Sequence, residues 1–84
     1  MDKYYCVVYE YAVDSDCGVE IIKVCLSREE AREVLKEHSF DEREYAKGSS
    51  NWEIFEDSAD EFDAGERGFY ASEHARYFIS EVDR

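Results

Sequence analysis

The segment Lys3–Val13 (KYYCVVYEYAV) constrains the fold more than any other part of the chain. Its Tyr and Val residues are typical of a β-strand. Alternate side chains of a strand point to opposite faces, and both faces of this strand are largely apolar. Such a strand is usually central in its sheet and covered on both sides. We therefore expect one cover to be a helix and the other to be an acidic loop, a second copy of the chain or a partner.

A turn, a second strand and a helix are predicted next. Asp14–Gly18 carries the Asp and Gly residues of a turn, and residues 19–26 (VEIIKVCL) have the composition of a strand that completes an antiparallel hairpin. Ser27 and Glu30 have the spacing of a capping box at the start of a helix. The apolar stripe of this helix, which should lie on the sheet, is Ala31, Val34, Leu35 and His38.

The middle of the chain contains the end of this helix, a third strand and a long connection. The helix is predicted to end near Ser39 or Phe40, or to fray as far as Gly48. Residues 52–56 (WEIFE) predict a third strand. Residues 57–68 (DSADEFDAGERG) predict a long polar connection, since they contain one bulky apolar residue and are longer than a typical loop. The face of the third strand that should turn away from Trp52 carries Glu53, Phe55 and Asp57.

The last segment allows two interpretations. Residues 76–82 (RYFISEV) have the composition of a strand, whereas the spacing of their apolar residues also fits a helix capped by Ser72. We favour the strand, because Tyr-Phe-Ile favours it and a further strand could cover a sheet edge. Residues 1–84 are then a single α+β domain with the order ββαββ, a small antiparallel sheet with one packed amphipathic helix.

The acidic residues concentrate in the second half of the chain. Between positions 41 and 66, ten carboxylates stand against two cations, which accounts for two thirds of the net charge of −12. Such an excess of charge causes self-repulsion in the compact state, and a basic partner would relieve it. The residues that we predict to bind such a partner are Asp41, Glu42, Glu44, Glu53, Glu56, Asp57, Asp60, Glu61, Asp63 and Glu66.

The same charge argues against several classes of function. Direct binding to nucleic acid is disfavoured because phosphates would be repelled, and an anionic membrane is disfavoured for the same reason. The N-terminus shows no signal peptide, and no apolar run approaches the ~20 residues that span a bilayer. Three cysteines without a CxxC motif indicate a reducing compartment rather than a disulfide scaffold. We therefore expect a cytoplasmic protein.

The acids do not match a known metal site, and no catalytic motif is present. An EF-hand loop counted from Asp57 would place Ala59 at its third position and Phe62 at its sixth, where an acid or amide and a Gly are needed. Zinc requires about four Cys or His ligands at close spacing, and these residues are scattered here. No local signature pairs a nucleophile with a base. We expect no metal, no cofactor and no enzymatic activity, with a weak and irregular divalent-cation site as the alternative.

Carboxylates carried by strands can imitate a row of phosphates. Alternate side chains of a strand recur every ~6.6–6.8 Å on one face. A basic groove built for nucleic acid would accept such a row through Arg and Lys contacts. Aromatic residues among the acids would add apolar anchors. These anchors are Trp52, Phe55, Phe62, Phe69 and Tyr70.

Two alternatives to a phosphate mimic remain. The acids could form a solvated surface that binds no partner. The chain could also be a small structural or accessory homo-oligomer, such as a homodimer, built on the tyrosine face of the first strand. That face carries Tyr5, Tyr9 and Tyr11.

Three stretches of the chain resemble a known group of proteins. They are a Tyr-rich first strand (YYCVVYEY), a capped amphipathic helix (SREEAREVLKEH) and an acidic segment (WEIFEDSADEFD). Together with the short length, this pattern resembles the small, acidic, single-domain proteins of phages and other mobile elements, such as anti-CRISPR proteins. The resemblance implies an inhibitor that occupies the DNA or RNA channel of a nucleic-acid-binding effector, such as a CRISPR effector, by competition and without catalysis. It also implies action in the host cytosol.

Overall fold

The computed structural model describes residues 2–68 and 72–83. Within these residues the chain forms β1 (Lys3–Val13), β2 (Asp16–Cys25), α1 (Arg28–His38), α2 (Phe40–Gly48), β3 (Trp52–Asp57), β4 (Glu61–Glu66) and β5 (Glu73–Asp83). The predicted α+β class with an antiparallel sheet is confirmed. The predicted order ββαββ is wrong in two places, because a second helix follows α1 and a further strand lies between β3 and β5.

The described strands form one antiparallel sheet in the order β2-β1-β5-β4-β3. β1 therefore lies inside the sheet, as its two apolar faces predict. β5 pairs with β1 along its whole length, from Lys3 opposite Asp83 to Val13 opposite Glu73. The strand predicted for the last segment is confirmed, and the alternative helix is wrong. This strand lies between β1 and β4 rather than at an edge, so that β2 and β3 are the edge strands.

The first helix begins as its sequence predicts. The Ser27 side-chain oxygen accepts a hydrogen bond from the backbone N–H of Glu30 at 3.1 Å, which confirms the predicted N-cap. Ala31 and Leu35 are buried in the core between helix and sheet. His38, which was predicted to end the apolar stripe, is exposed instead.

The chain stays helical beyond α1. The backbone N–H of Ser39 donates to the carbonyl oxygen of Leu35, and the carbonyl oxygen of Ser39 accepts from the N–H of Arg43, each at 2.9 Å. These bonds follow the i to i−4 pattern of an α-helix across the junction. α1 itself ends at His38 with Ser39 as its C-cap, so the earlier of the two predicted ends is confirmed, and residues 40–48 form the separate helix α2 rather than a frayed end of α1.

The core lies between the helices and one face of the sheet. Phe62, Leu35 and Val7 are its largest fully buried apolar side chains. Tyr9 of β1 stacks on Tyr77 of β5, with ring centroids 4.5 Å apart. The first, second and last thirds of the chain therefore meet in one cluster, which ties the sheet to both helices.

Strand β4 lies within the segment that was predicted to be a polar connection. Its residues Phe62 and Ala64 alternate with more polar ones, and both are fully buried under the helices. Gly65 allows close pairing with β5, since a Cβ at this position would lie 2.9 Å from the carbonyl oxygen of Glu73. The segment is thus a paired interior strand, and the prediction of a connection from 57 to 68 is wrong for Glu61–Glu66.

A register shift between Ile54 and Glu56 changes the predicted faces of β3. Beyond this bulge Asp57 pairs with the buried Phe62 and turns toward the helices. The prediction that Asp57 shares a face with Glu53 is therefore wrong.

The sheet face opposite the helices is called the open face below. Among the described residues no helix covers it, because α1 and α2 both pack on the core side. From edge to edge it carries Cys17, Val19, Ile21 and Val24 of β2, Tyr4, Cys6, Val8, Glu10 and Ala12 of β1, His74, Arg76, Phe78, Ser80 and Val82 of β5, Glu61 and Asp63 of β4, and Glu53, Phe55 and Glu56 of β3.

Candidate functional site

Four carboxylates form a row along the outer surface of the two helices. They occupy every fourth position of a nearly continuous helix, so each lies about 6 Å along the axis from the next. All four are exposed, and within residues 2–68 and 72–83 none of them forms a salt bridge. This row, called the acidic ridge below, is Glu29, Glu33, Glu37 and Asp41.

Two shallow depressions border the acidic ridge. One, of about 440 Å³, lies between α1 and the turn that joins β3 to β4, and is lined by Glu29 and Glu33 on the helix side. The other, of about 470 Å³, is lined by Glu33, Glu37 and Asp41. Lys36 lines both depressions. The shared lining shows that the ridge carboxylates border one continuous surface across the junction of the helices.

The carboxylates of the acidic ridge repel one another, so the ridge is a favourable site for cations. Like charges at positions i and i+4 of a helix destabilise it by about 0.2–0.5 kcal/mol per pair. Glu29 and Asp41 lie in the first turns of α1 and α2, where the helix dipole favours an acid, so the repulsion acts mainly between Glu33 and Glu37. Arg or Lys side chains brought by a partner would replace this repulsion with attraction.

The predicted acids around the β3–β4 turn bind arginines of the same chain. The carboxylate of Asp60 forms salt bridges with the guanidinium groups of Arg28, at 3.1 Å, and Arg32, at 2.6 Å. Asp57 contacts Arg43 of α2 at 3.2 Å. These ion pairs fasten the β3–β4 hairpin to both helices. Reversing the charge of Asp57 or Asp60 would therefore disturb the fold as well as any binding surface.

Two further predicted acids belong to a polar network on the open face. Arg76 lies between Glu61 at 2.8 Å and Glu10 at 2.9 Å. His74 contacts the carboxylate of Asp63. The network links β1, β5 and β4 across the sheet, so Glu61 and Asp63 are also engaged within the chain.

Glu66 and Glu42 make short-range polar contacts inside the fold. Glu66 accepts hydrogen bonds from the backbone N–H and the hydroxyl of Ser72, at 3.1 and 3.0 Å, and these bonds lower the pKa of its carboxyl group. Burial and a hydrogen bond with Glu42 raise the pKa of Tyr77. Both carboxylates therefore have structural partners.

The ten predicted acids do not lie on one surface. Asp41 belongs to the acidic ridge, on the helix side of the molecule. Glu53 and Glu56 are exposed at the β3 edge of the open face and form no salt bridge within the described part of the chain. Glu44 on α2 forms a salt bridge with Lys47, at 3.7 Å. The other three ridge residues were not among the predicted acids, although their spacing of four is visible in the sequence.

Two of the five predicted aromatic anchors are buried and unsuitable for contact with a partner. Phe62 and Trp52 belong to the core, where they are 0% and 8% exposed. Phe55 is 53% exposed on the open face, next to His74, and is suitable. Phe69 and Tyr70 lie outside the described residues.

Neither a metal centre nor a membrane span is found in the described part of the chain. No group of three or more His, Cys, Asp or Glu side chains there is arranged to hold a metal ion. The cysteines Cys6, Cys17 and Cys25 are free thiols. No described helix is long and apolar enough to cross a membrane.

Comparisons with family models, with curated proteins and with solved structures find no match for this chain. A function is therefore inferred below from the chain's own geometry.

The Asp60 ion pairs predict a pH-dependent contribution to stability. Hydrogen bonds from Arg32 and the nearby charges of Arg32 and Arg28 lower the pKa of Asp60 below its usual 3.8. A carboxyl group whose pKa is lower in the folded state stabilises the fold above its unfolded pKa, and this contribution disappears as the pH falls through the folded pKa. Because Asp60 is 43% exposed, we expect Asp60→Asn to lower the free energy of unfolding by at most about 1 kcal/mol at pH 7.

Denaturant unfolding of Asp60→Asn at pH 7 and at a series of pH values below 3.8 measures this effect. The difference from the wild-type chain should shrink progressively along this series, as the pH falls through the lowered pKa of Asp60 in the folded chain. Glu53→Gln is the matched control, since it removes the same charge from an exposed position on the neighbouring strand. Equal losses in both variants would show that the arginine contacts of Asp60 do not stabilise the fold.

Proposed function

We propose that the protein is a non-catalytic acidic binding protein that inhibits a nucleic-acid-binding effector by occupying its basic groove. The observation that carries this proposal is that the fold uses nearly all of its described cations, with Lys36 beside the ridge as the exception. Arg67 donates to the carbonyl oxygen of Trp52 at 3.0 Å. Salt bridges engage Lys3, Lys23, Arg28, Arg32, Arg43, Lys47 and Arg76. The carboxylates left over, above all the acidic ridge, face the solvent and give the protein its external charge.

The spacing of the ridge suits a groove that binds phosphates. Each strand of B-DNA advances about 3.4 Å per phosphate. Because the strand also winds around the duplex axis, neighbouring phosphates are farther apart than this rise, and a carboxylate every ~6 Å of helix axis is comparable with their separation. Arg and Lys side chains placed to contact phosphates bind carboxylates through the same charge-assisted hydrogen bonds. The inhibitor would compete with nucleic acid for these side chains without any chemical step.

The exposure of the ridge determines how such binding responds to salt. Exposed charges farther apart than about 8 Å are largely screened at physiological ionic strength. Binding should therefore be tightest at low salt and should weaken steadily as salt is added. A nucleic acid bound to the same groove would show the same trend.

The proposed partner places the protein in the cytosol of a host cell. Basic nucleic-acid-binding effectors, among them CRISPR effectors, act in that compartment. A reducing environment also suits a chain whose three cysteines are unpaired thiols, with Cys17 exposed.

Competition with nucleic acid is the direct test. The immobilised protein is incubated at low salt with a nuclease-treated host lysate, and bound proteins are eluted with a salt gradient and identified by mass spectrometry. A captured nucleic-acid-binding protein is then purified and loaded with a fluorescent DNA or RNA ligand. We expect the acidic protein to displace that ligand, as a fall in fluorescence anisotropy that saturates with concentration.

The control for catalysis is the length of the released ligand. It should be unchanged, because the proposed inhibitor does not cleave nucleic acid. A captured effector that binds the protein and its nucleic acid together would contradict occupation of the groove. Degradation of the ligand by the protein alone would contradict a non-catalytic role.

A further inference from the structure

The β2 side of the open face is an exposed apolar strip. Val19, Ile21 and Val24 of β2 point away from the core and are 70%, 60% and 50% exposed. In the strand register, Ile21 lies opposite Val8 and Val24 opposite Cys6 on β1. Tyr4 and Val82, 37% and 46% exposed, continue the strip across β1 and β5. Apolar side chains that are contiguous at this scale indicate an interaction surface.

The strip is not the tyrosine face on which an oligomer was expected from the sequence. Tyr5 and Tyr9 point to the opposite side of β1 and pack against the core beneath the helices. That face of β1 is covered within the chain itself. The apolar face left for a contact with another molecule is therefore the side of β1 that carries Tyr4, Cys6 and Val8.

The charges around the strip favour an uncharged occupant. Glu10 is the one carboxylate among the open-face residues of β1 and β2, and it shares Arg76, at 2.9 Å, with Glu61 of β4. The guanidinium of Arg76 also lies over the Phe78 ring, 4.1 Å from its centroid, and marks the border of the strip. A partner that binds through charged side chains would gain little from the uncharged residues of this strip. A second copy of this chain presents the same uncharged side chains, so two strips that meet at Ile21 and Val24 place the Glu10–Arg76 pairs at the border of the contact.

The apolar side of the sheet is large enough for a small dimer interface. The strands that carry the strip, β2, β1 and β5, are ten to eleven residues long. Three strands of this length span roughly 36 by 14 Å in projection, or about 500 Å² on each partner. A standard interface buries about 800 Å² on each partner, so we expect a weak dimer that forms at high concentration. Two sheets that pack face to face keep their strands within about 30° and lie about 10 Å apart.

We propose that two copies of the chain form a homodimer by packing their open faces together around a twofold axis near β1 and β2. The strip residues of one copy meet the same residues of the other, as a twofold interface requires. The helices of both copies then lie on the outside. This inference does not depend on the proposed function, because the acidic ridge is on the side of the molecule that the dimer leaves free.

The variant Ile21→Lys tests the proposed dimer, and Phe40→Lys is its matched control. Both positions are exposed apolar residues, at 60% and 52%, but Phe40 lies on the helix side. Light scattering and sedimentation over a dilution series should give the wild-type chain and Phe40→Lys a mass of twice 9.9 kDa at high concentration. In Ile21→Lys, like charges meet at the axis, and we expect the dissociation constant of the dimer to rise by at least about tenfold.

Methyl resonances locate the contact independently of the variants. On dilution of the wild-type chain, signals of Val19, Ile21 and Val24 should shift, whereas that of the buried Leu35 should not. A wild-type chain that stays monomeric at every concentration would overturn the proposal. So would a dimer that Ile21→Lys leaves intact, because the contact would then use another surface.

Discussion

Replacing Phe62 with alanine is expected to lower the free energy of unfolding by about 3–5 kcal/mol. Phe62 is the largest of the fully buried side chains in the core. The guanidinium of Arg43 lies 4.8 Å from the centre of its ring, so the change also removes the surface on which this arginine rests. Native domains are typically stable by about 5–15 kcal/mol, and a loss of this size leaves a chain of this length close to unfolding at room temperature.

Phe55→Ala provides the control for this prediction, because it removes the same side chain from the neighbouring strand at a position that is 53% exposed. Denaturant unfolding followed by circular dichroism should show a loss of less than about 1 kcal/mol for the control. Equal losses in the two variants would mean that Glu61–Glu66 does not form a buried strand.

The parts of the fold that were predictable from sequence are those with a strong local signal. β1 is apolar on both faces, and a strand of that kind is stable only inside a sheet. Ser27 and Glu30 cap α1 through contacts within one helical turn. Ala31 and Leu35 repeat at the helical period, and they are buried as that period requires. Each of these features depends on residues that are close in the sequence.

β4 was not predictable because nothing local specifies it. The sequence EFDAGE contains residues that are rare in strands, and only Phe62 is large and apolar. The segment becomes a strand because β3 and β5 pair with it on both sides, and because its small residues allow that pairing. Tertiary pairing of this kind cannot be inferred from the composition of a six-residue window.

The candidate site was predictable in charge but not in position. Which carboxylates are free depends on arginines that are distant in the sequence, as with Asp60 and Arg28, 32 residues apart. By contrast, the spacing of Glu29, Glu33, Glu37 and Asp41 was present in the sequence. Asp41 was grouped with the acids that follow it in the sequence, because its continuity with the other three depends on the second helix, α2, which was not predicted.

The two proposed surfaces are compatible because they lie on opposite sides of the sheet. A dimer formed through the open faces would carry two acidic ridges on its outer surfaces. One dimer could then contact two effectors, or two basic surfaces of one effector, and the second contact would benefit from the first through effective concentration.

Reversing two charges of the acidic ridge should abolish binding to the effector while leaving the fold intact. We expect Glu33→Lys/Glu37→Lys to weaken binding by about a hundredfold or more, because like charges then meet across the contact. The helix itself should tolerate the change. The new residues would be attracted to Glu29 and Asp41 at i,i+4 spacing, which offsets the repulsion between the two lysines.

Asp16→Lys/Glu20→Lys is the matched control for the ridge variant. It changes the net charge by the same amount as the ridge variant, but at exposed acids of β2, on the hairpin remote from α2. The comparison therefore distinguishes the effect of where the charges lie from the effect of the net charge. Anisotropy competition at a fixed salt concentration measures both variants against the wild-type chain, and circular dichroism verifies that each is folded. Equal weakening in the two variants would show that the effector responds to net charge alone. Unchanged binding in the ridge variant would exclude the ridge as the contact surface and leave the exposed Glu53 and Glu56 of β3 as the next carboxylates to reverse.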